Sequence, residues 1–362
     1  MADLDANALK RRPLQIVLSI GAAVALGFIF LVSFNYMRND NAPKFLVALV
    51  ALVVGVGGVW AFYLTLDNLV SQVRSRLRDK LRPYVFVLPA LAVLSIYIIY
   101  PLVRTTWVSF FDYTRGSGDP TNFGFQNYVA IFTDPKLLIA IRNNILWIVF
   151  VPLFSVSLGL IVAVLVDRIR WEKIAKAFIF LPMAISFVGA SVIWRFIYYR
   201  AVFGEQIGLL NAIVTAGGND PVGWLRVEPW NNFFLIAIMI WLQTGFAMVI
   251  LSSAVKGVPS SLLEAARIDG AGEFRAFFQI IIPYVSSTIL TVTTTIVILV
   301  LKIFDVVFVM TSGQFNTDVI ANMMYNQMFR AGQYGRGAAL AVVLFVAVIP
   351  VMVRNIRSMN QA

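Results

Sequence analysis

The side chains that could do chemistry are few, and several are clustered. Of 362 residues, 29 are basic and 18 acidic against a hydrophobic fraction of 60%. Yet Glu264, Arg267, Asp269, Glu273 and Arg275 stand within one short stretch, EAARIDGAGEFRAFFQIIIP. Charge of both signs on so short a segment suits docking to a soluble partner better than catalysis. Two further charges, Lys302 and Asp305, interrupt an apolar run, where an ionisable group points to an ion pair or a water-filled path. Neither cysteine nor histidine occurs. Thiolate nucleophiles, disulfides, imidazole bases and Cys- or His-built zinc, haem and iron-sulfur sites are therefore excluded, which argues against a membrane enzyme or electron carrier. No G-x-x-x-x-G-K-[ST] loop is present, so the chain has no phosphate cradle for a nucleotide.

These residues must be positioned by membrane helices. A mean hydropathy of +0.83 lies outside the range of water-soluble domains and predicts an all-α, polytopic membrane protein. Eight apolar runs are long enough to span, near residues 14–34, 45–66, 84–103, 145–166, 177–199, 233–255, 284–310 and 337–353. The first follows Lys10-Arg11-Arg12 as a signal peptide would. Its run is too long for such a peptide and no small-residue cleavage site precedes Asn35-Tyr36-Met37-Arg38, so it is read as a retained helix. Arg74, Arg76, Arg78, Lys80 and Arg82, with Arg168, Arg170, Lys173 and Lys176, place the basic loops on the side of both termini, and the positive-inside rule makes that side cytoplasmic. The net charge of +11 is thereby assigned to topology and not to nucleic acid.

In this topology loop 256–283 and tail 355–362 are cytoplasmic, whereas loops 104–144, 200–231 and 311–336 face outward. Residues 1–83, two helices and a basic linker, form an appendage to a six-span core at 84–354. Trp107, Tyr113, Trp147, Tyr198, Tyr199, Trp224 and Trp230 fall near span ends and are expected in the interfacial belt, and Arg195 is expected to snorkel to water.

Within loop 256–283, Pro259 and the capping-box pattern Ser261-Leu-Leu-Glu264 each predict a helix start. That helix should run to about Asp269, turn at Gly270-Ala271-Gly272, and be followed by a second helix anchored by Phe274, Phe277, Phe278, Ile281 and Ile282. In the seventh span Thr288, Thr291, Thr295, Lys302 and Asp305 recur at helical intervals and are expected along one helix side, with Lys302 and Asp305 as a structural or gating pair. Gln243 and Thr244, beside Phe246, make a second polar break.

The stretch Glu264-Ala265-Ala266, three residues, Gly270, and then Ile280-x-Ile282-Pro283 resembles the signature of membrane subunits of binding-protein-dependent ABC importers, with isoleucine where leucine is usual. Gly124-Phe-Gln-Asn-Tyr-Val-Ala-Ile-Phe-Thr-Asp-Pro135, Asn143-Asn144, Leu181-Pro182 and Lys302-Ile-Phe-Asp305 with Thr311 are similar to carbohydrate importers, in particular to maltose-type permeases with two extra N-terminal helices. Two features depart from that pattern. Loop 104–144 has no room for a large outer insertion, and Thr311-Ser-Gly-Gln-Phe315 replaces T-x-G-G-P.

The resemblance implies a multi-pass permease of a prokaryotic cytoplasmic (inner) membrane, with Glu264, Ala265, Ala266, Arg267, Asp269, Gly270 and Ala271 docking to the ATPase. It places the sugar path at Gln243, Thr244, Phe246, Phe187, Thr295 and Ile303. It further implies a second permease, two ATPase subunits that hold ATP and Mg, and an extracytoplasmic binding protein, with no cofactor or metal on this chain. Other cargo, such as glycerol phosphate or a polyamine, and an ion-coupled secondary transporter remain open as alternatives.

Overall fold

The computed structural model describes residues 2–39, 42–72, 75–167 and 169–359. Arg74 and Arg168 of the expected basic loops, and residues 360–362 of the tail, lie outside these. Among the described residues the chain is helical, with isolated bridges pairing Asp112 with Thr121 and Thr114 with Gln333 and no strand. It divides into two compact units after Val103.

The first unit is built from α1 (Ala2–Met37), α2 (Lys44–Ser71) and most of α3 (residues 75–108). Away from the charged first turns of α1 and α3 its helices are apolar nearly all round, and described surfaces there stay exposed, Phe45 at 78% and Trp60 at 68%, as suits contact with lipid. Polar ties hold them. The Arg82 guanidinium donates to both Asp67 carboxylate oxygens at 2.9 and 3.1 Å, the Gln72 amide donates to Ser19 Oγ at 2.7 Å, and Tyr63 Oη donates to the Phe86 carbonyl at 3.2 Å.

In the second unit α4 (Gln126–Thr133) leads into α5 (Pro135–Val166), which Asp134 caps by accepting the Lys136 N–H at 2.9 Å. Helices α6 (Glu172–Ala184), α7 (Phe187–Ile197), α8 (Leu209–Ala216) and α9 (Trp230–Lys256) follow. Next come α10 (Ser260–Ile268), α11 (Glu273–Tyr284), α12 (Ser286–Leu301), α13 (Asp305–Met310), α14 (Ile320–Tyr325) and α15 (Tyr334–Met359).

The core forms where α5 and α9 pack along each other. They can approach closely because a Cβ on Gly159 would stand 2.6 Å from Ala247 Cβ. Trp147, Ile238, Met239, Met248 and Leu251 are fully buried there with Ile296 of α12. A smaller cluster joins Ile131, Leu137 and Ala140 to Ile320, Met323, Ala339 and Leu340. Trp147 thus belongs to the core and not to an interfacial belt, and Tyr198 is also buried, its hydroxyl donating to the Phe234 carbonyl at 2.9 Å.

Among the described residues six helices are long and apolar enough to cross a membrane, and two bent pairs bring the possible number to eight. The first pair, α6 and α7, bends by 102° where Ile185 and Ser186 turn extended and Ser186 Oγ accepts the Gly189 N–H at 3.1 Å. The second, α11 and α12, bends by 71° just after Pro283.

The expected continuous span at 284–310 is also interrupted. Helix α12 ends at Leu301, and Lys302, Ile303 and Phe304 leave helical geometry before α13 begins at Asp305. The Asn144 amide of α5 donates to the freed Leu301 carbonyl at 3.3 Å, satisfying a helix end that would otherwise be orphaned. Lys302 and Asp305 therefore sit on two different helix ends. Among the described residues they form no ion pair, which corrects the expectation that these two charges pair with each other.

Candidate functional sites at the two ends of the bundle

Helix α9 is 27 residues long, about 40 Å at the α-helical rise. It separates two built sites. Beyond its C-terminus the chain makes the charged corner. Pro259, with φ −59° and ψ 131°, is the N-cap of α10, so Ser261 lies inside the helix and the expected capping box does not form. The helix end is better specified. The Ala271 N–H donates to the Ala266 carbonyl at 2.8 Å and the Gly270 N–H to the Arg267 carbonyl at 3.1 Å, the paired bonds of a Schellman motif. That motif needs a left-handed residue, and Gly270 supplies it at φ +78°.

Gly272 then opens α11, and Arg267 reaches across the corner to Glu273 at 3.4 Å. Ala266 is buried and holds α10 down, whereas Glu264, Ala265, Arg267, Asp269 and Gly270 are exposed and Ala271 is half-buried. Phe277, Ile281 and Ile282 pack inward, as expected. Phe274 and Phe278 do not, at 85% and 60% exposure, and Ile268 is 86% exposed. The corner is consequently charged and apolar at once, since α11 is too short for all its aromatic rings to share one face.

At the foot of the corner lies a charge cluster that the sequence reading missed. Lys176 Nζ donates to Asp167 Oδ1 at 2.5 Å and to Glu172 Oε1 at 2.6 Å. Ser252 Oγ donates to Asp167 Oδ1 at 3.0 Å, and Lys256 Nζ bonds Glu172 Oε1 and lies 3.9 Å from Asp167 Oδ1. The end of α5, the start of α6 and the last turn of α9 are pinned together. The Glu172/Lys176 spacing of four residues was the available signal.

The residues expected along the path divide. Phe187 and Phe246 pack against the core cluster that contains Ile303, itself 2% exposed and so a core residue rather than a lining one. Thr244 Oγ1 donates back to the Ile240 carbonyl at 2.7 Å, and Thr295 Oγ1, on an exposed position, donates to the Thr291 carbonyl at 2.8 Å. Thr291 likewise returns to Ser287 at 2.9 Å, so these hydroxyls are satisfied within their own helices. Gln243 differs, being 6% exposed with no hydrogen-bond partner among the described residues.

At the other end, four asparagines clasp the segment after α13. The Asn143 amide donates to the Asn316 and Asp318 carbonyls at 2.8 Å each, the Asn231 amide to the Phe315 carbonyl at 2.7 Å, and the Asn232 amide to the Asn316 carbonyl at 3.3 Å. Asn144 Oδ1 accepts the Ile320 N–H at 2.8 Å. The clasped segment is strained: Ser312, Phe315 and Asn316 adopt φ of 54°, 57° and 57°, a region costly for residues other than glycine. Beside it a cavity of about 630 Å³ is bordered by the last turn of α7, residues 223–226 and this segment.

Comparison with known proteins accords with this architecture. Residues 155–358 match the family model described as binding-protein-dependent transport system inner membrane component. The osmoprotective compounds uptake permease of Synechocystis sp. is 59% identical over 274 residues, covering 75% of this chain and 96% of that protein. The alpha-glucoside transport system permease of Rhizobium meliloti is 47% identical over 330 residues, covering 87% and 97%. A chain of a bacterial ABC transporter that imports the acidic polysaccharide alginate shares the fold, with a TM-score of 0.66 at 20% identity over 79% of this chain and 99% of that one. With its helical core, bent spans and E-A-A corner, this chain belongs to the binding-protein-dependent transport system inner membrane component family.

Proposed function

We propose that this chain is a sugar-importing permease subunit of an ABC transporter, with α-glucosides or glucosylated osmolytes as its cargo. It would cross the inner membrane eight times with both termini in the cytoplasm, its bent pairs each counting as one span. A second permease would complete the path. Two ATPase subunits would grip the exposed Glu264, Arg267 and Asp269, and their ATP and Mg would supply the energy, while an extracytoplasmic binding protein delivers cargo to the opposite end. The observation that carries this reading is the corner itself. Its shape is fixed by the Schellman bonds to Ala266 and Arg267 and by the left-handed Gly270, and its foot is fastened to α5, α6 and α9 by the Asp167, Glu172, Lys176 and Lys256 charges. A push on the corner would thus reach the spans and not be absorbed by a loose loop. The α-glucoside part of this cargo is supported by the name of the relative at 47% identity and the osmolyte part by that of the relative at 59%, and an osmolyte that carries a glucosyl group would satisfy both.

The test is ATP-dependent uptake by the reconstituted transporter of labelled maltose, trehalose and a glucosylated polyol, beside glycerol phosphate and a polyamine. Gly270→Leu and Glu264→Lys should each abolish uptake while the protein still inserts. Import of a polyamine or glycerol phosphate in place of the sugars would overturn the cargo. Full transport by both variants would overturn the corner's role.

A further inference from the structure

The cavity at the end of the bundle away from the corner has a chemistry that a neutral glycoside does not explain. Its wall includes Arg195, Arg200 and Arg226 and no carboxylate. None of the three forms an ion pair among the described residues. Of the acids in the flanking segment, Glu228 is taken up by the Asn316 amide at 2.9 and 3.0 Å, and Glu205 and Asp220 do not line the cavity. The indole N–H of Trp224, another wall residue, is buried without an acceptor. The site is rich in donors and positive charge, an arrangement that an acceptor-only anion completes.

It is also prebuilt. The strained Ser312 and Phe315 form part of the wall, and Asn143, Asn231 and Asn232 hold their segment in place. Arg226 lies over the Phe315 ring at 5.4 Å, which orients its guanidinium. A strained conformation persists when surrounding contacts over-determine it, and such strain collects at binding sites.

We infer that this cavity is a carboxylate socket in which the permease receives an acidic side chain of the soluble binding protein. This rests on the orientation proposed above, which turns the cavity outward. Three arginines bordering one cavity leave it with uncompensated positive charge until an anion enters. A glucoside brings no charge to balance them, whereas an Asp or Glu on a docking surface does. The cavity is walled by the segments that follow α7, precede α9 and follow α13, which favours a partner arriving from water over a lipid headgroup lying along a span.

The experiment titrates the cognate binding protein, fluorescently labelled, onto the complete transporter in nanodiscs at several salt concentrations. Losing one charge-assisted pair should weaken binding about tenfold, so Arg226→Gln and Arg200→Gln should each raise Kd by about that factor and flatten its salt dependence. The triple Arg195, Arg200, Arg226→Gln protein should bind negligibly while still co-purifying with its second permease and ATPases, and Arg226→Lys should recover part of the loss. A triple variant that binds within twofold of the parent would overturn the proposal, as would loss of the second permease in place of loss of docking. An effect seen only when phosphatidylglycerol is added to the phosphatidylcholine nanodiscs would assign the socket to lipid and overturn it too. Docking is read without sugar. Failure of the parent transporter to import sugar would therefore count against the function proposed above and not against the socket.

Discussion

Asp318 is a carboxyl pressed beneath the strained segment, where a Cβ on Gly313 would meet its Cγ at 2.5 Å. Burial pushes its pKa up to about 6, against the opposing hydrogen bonds from the Asn322 amide and the Val319 N–H. Since the folded pKa lies above the unfolded one, the folded state binds the proton more tightly between them, and stability falls as pH rises from about 4 to about 6. No histidine shares this window. Moving from pH 7 to pH 5 should therefore raise the thermal midpoint of the detergent-solubilised protein by roughly 1–2 °C, about 1 kcal/mol after solvent screening. Asp318→Asn should flatten that dependence, and a midpoint that falls on acidification in the parent would refute the assignment. None of this was legible in the sequence. Asp318 gains its meaning from Asn322 one turn on and from Gly313 above it, and the Asn143 amide that holds the Asp318 carbonyl lies 175 residues away. Gly270 shows the opposite case, because its left-handed turn depends on bonds to residues within five positions, and local spacing therefore announced it.

At the level of elements, the charge cluster under the corner decides how α9 is held. Lys176 is shared by Asp167 and Glu172, with side-chain exposures of 18%, 15% and 27%. Removing it leaves two carboxylates to Lys256, which is 52% exposed and so better screened. Lys176→Met should lower the thermal midpoint, by less than the loss of a fully buried pair would. It should also lower the sugar imported per ATP hydrolysed, with Lys176→Arg restoring most of both. An unchanged transport-to-hydrolysis ratio in Lys176→Met would show that the cluster is only a staple. Helices made of long continuous apolar runs, such as α9 and most of α5, were readable directly from length and hydropathy. The break between α12 and α13 was not, because Val306, Val307 and Met310 continue the buried apolar face past it and what frees the backbone there is Asn144, a side chain from another helix. The same limitation hid the arginine-lined cavity, whose wall is assembled from three separate segments.

Taken whole, the molecule concentrates its packing in the second unit, which contains both hydrophobic clusters. In the first unit Val70 is the only buried hydrophobic side chain among those described. The relative at 59% identity is matched over 96% of its own length by 75% of this chain, so a permease of this family can be built from a substantially shorter sequence. The basic residues Arg76, Arg78, Lys80 and Arg82 all follow residue 74 and would keep their side of the membrane after a truncation there. A chain beginning with an added methionine before Ser75 should therefore insert in the same orientation, assemble with its partner subunits and import sugar at a rate within about twofold of the full chain. Its losses should be confined to the ties that end on α1 and α2, the Asp67 pairing of Arg82 and the Tyr63 bond to the Phe86 carbonyl, and so should appear as a lower thermal midpoint. Uptake by the truncated transporter, measured beside cysteine-accessibility labelling of each loop, separates the outcomes. An inverted or unassembled chain would show that α1 and α2 set the topology. Correct assembly without transport would give those helices a part in the import cycle itself.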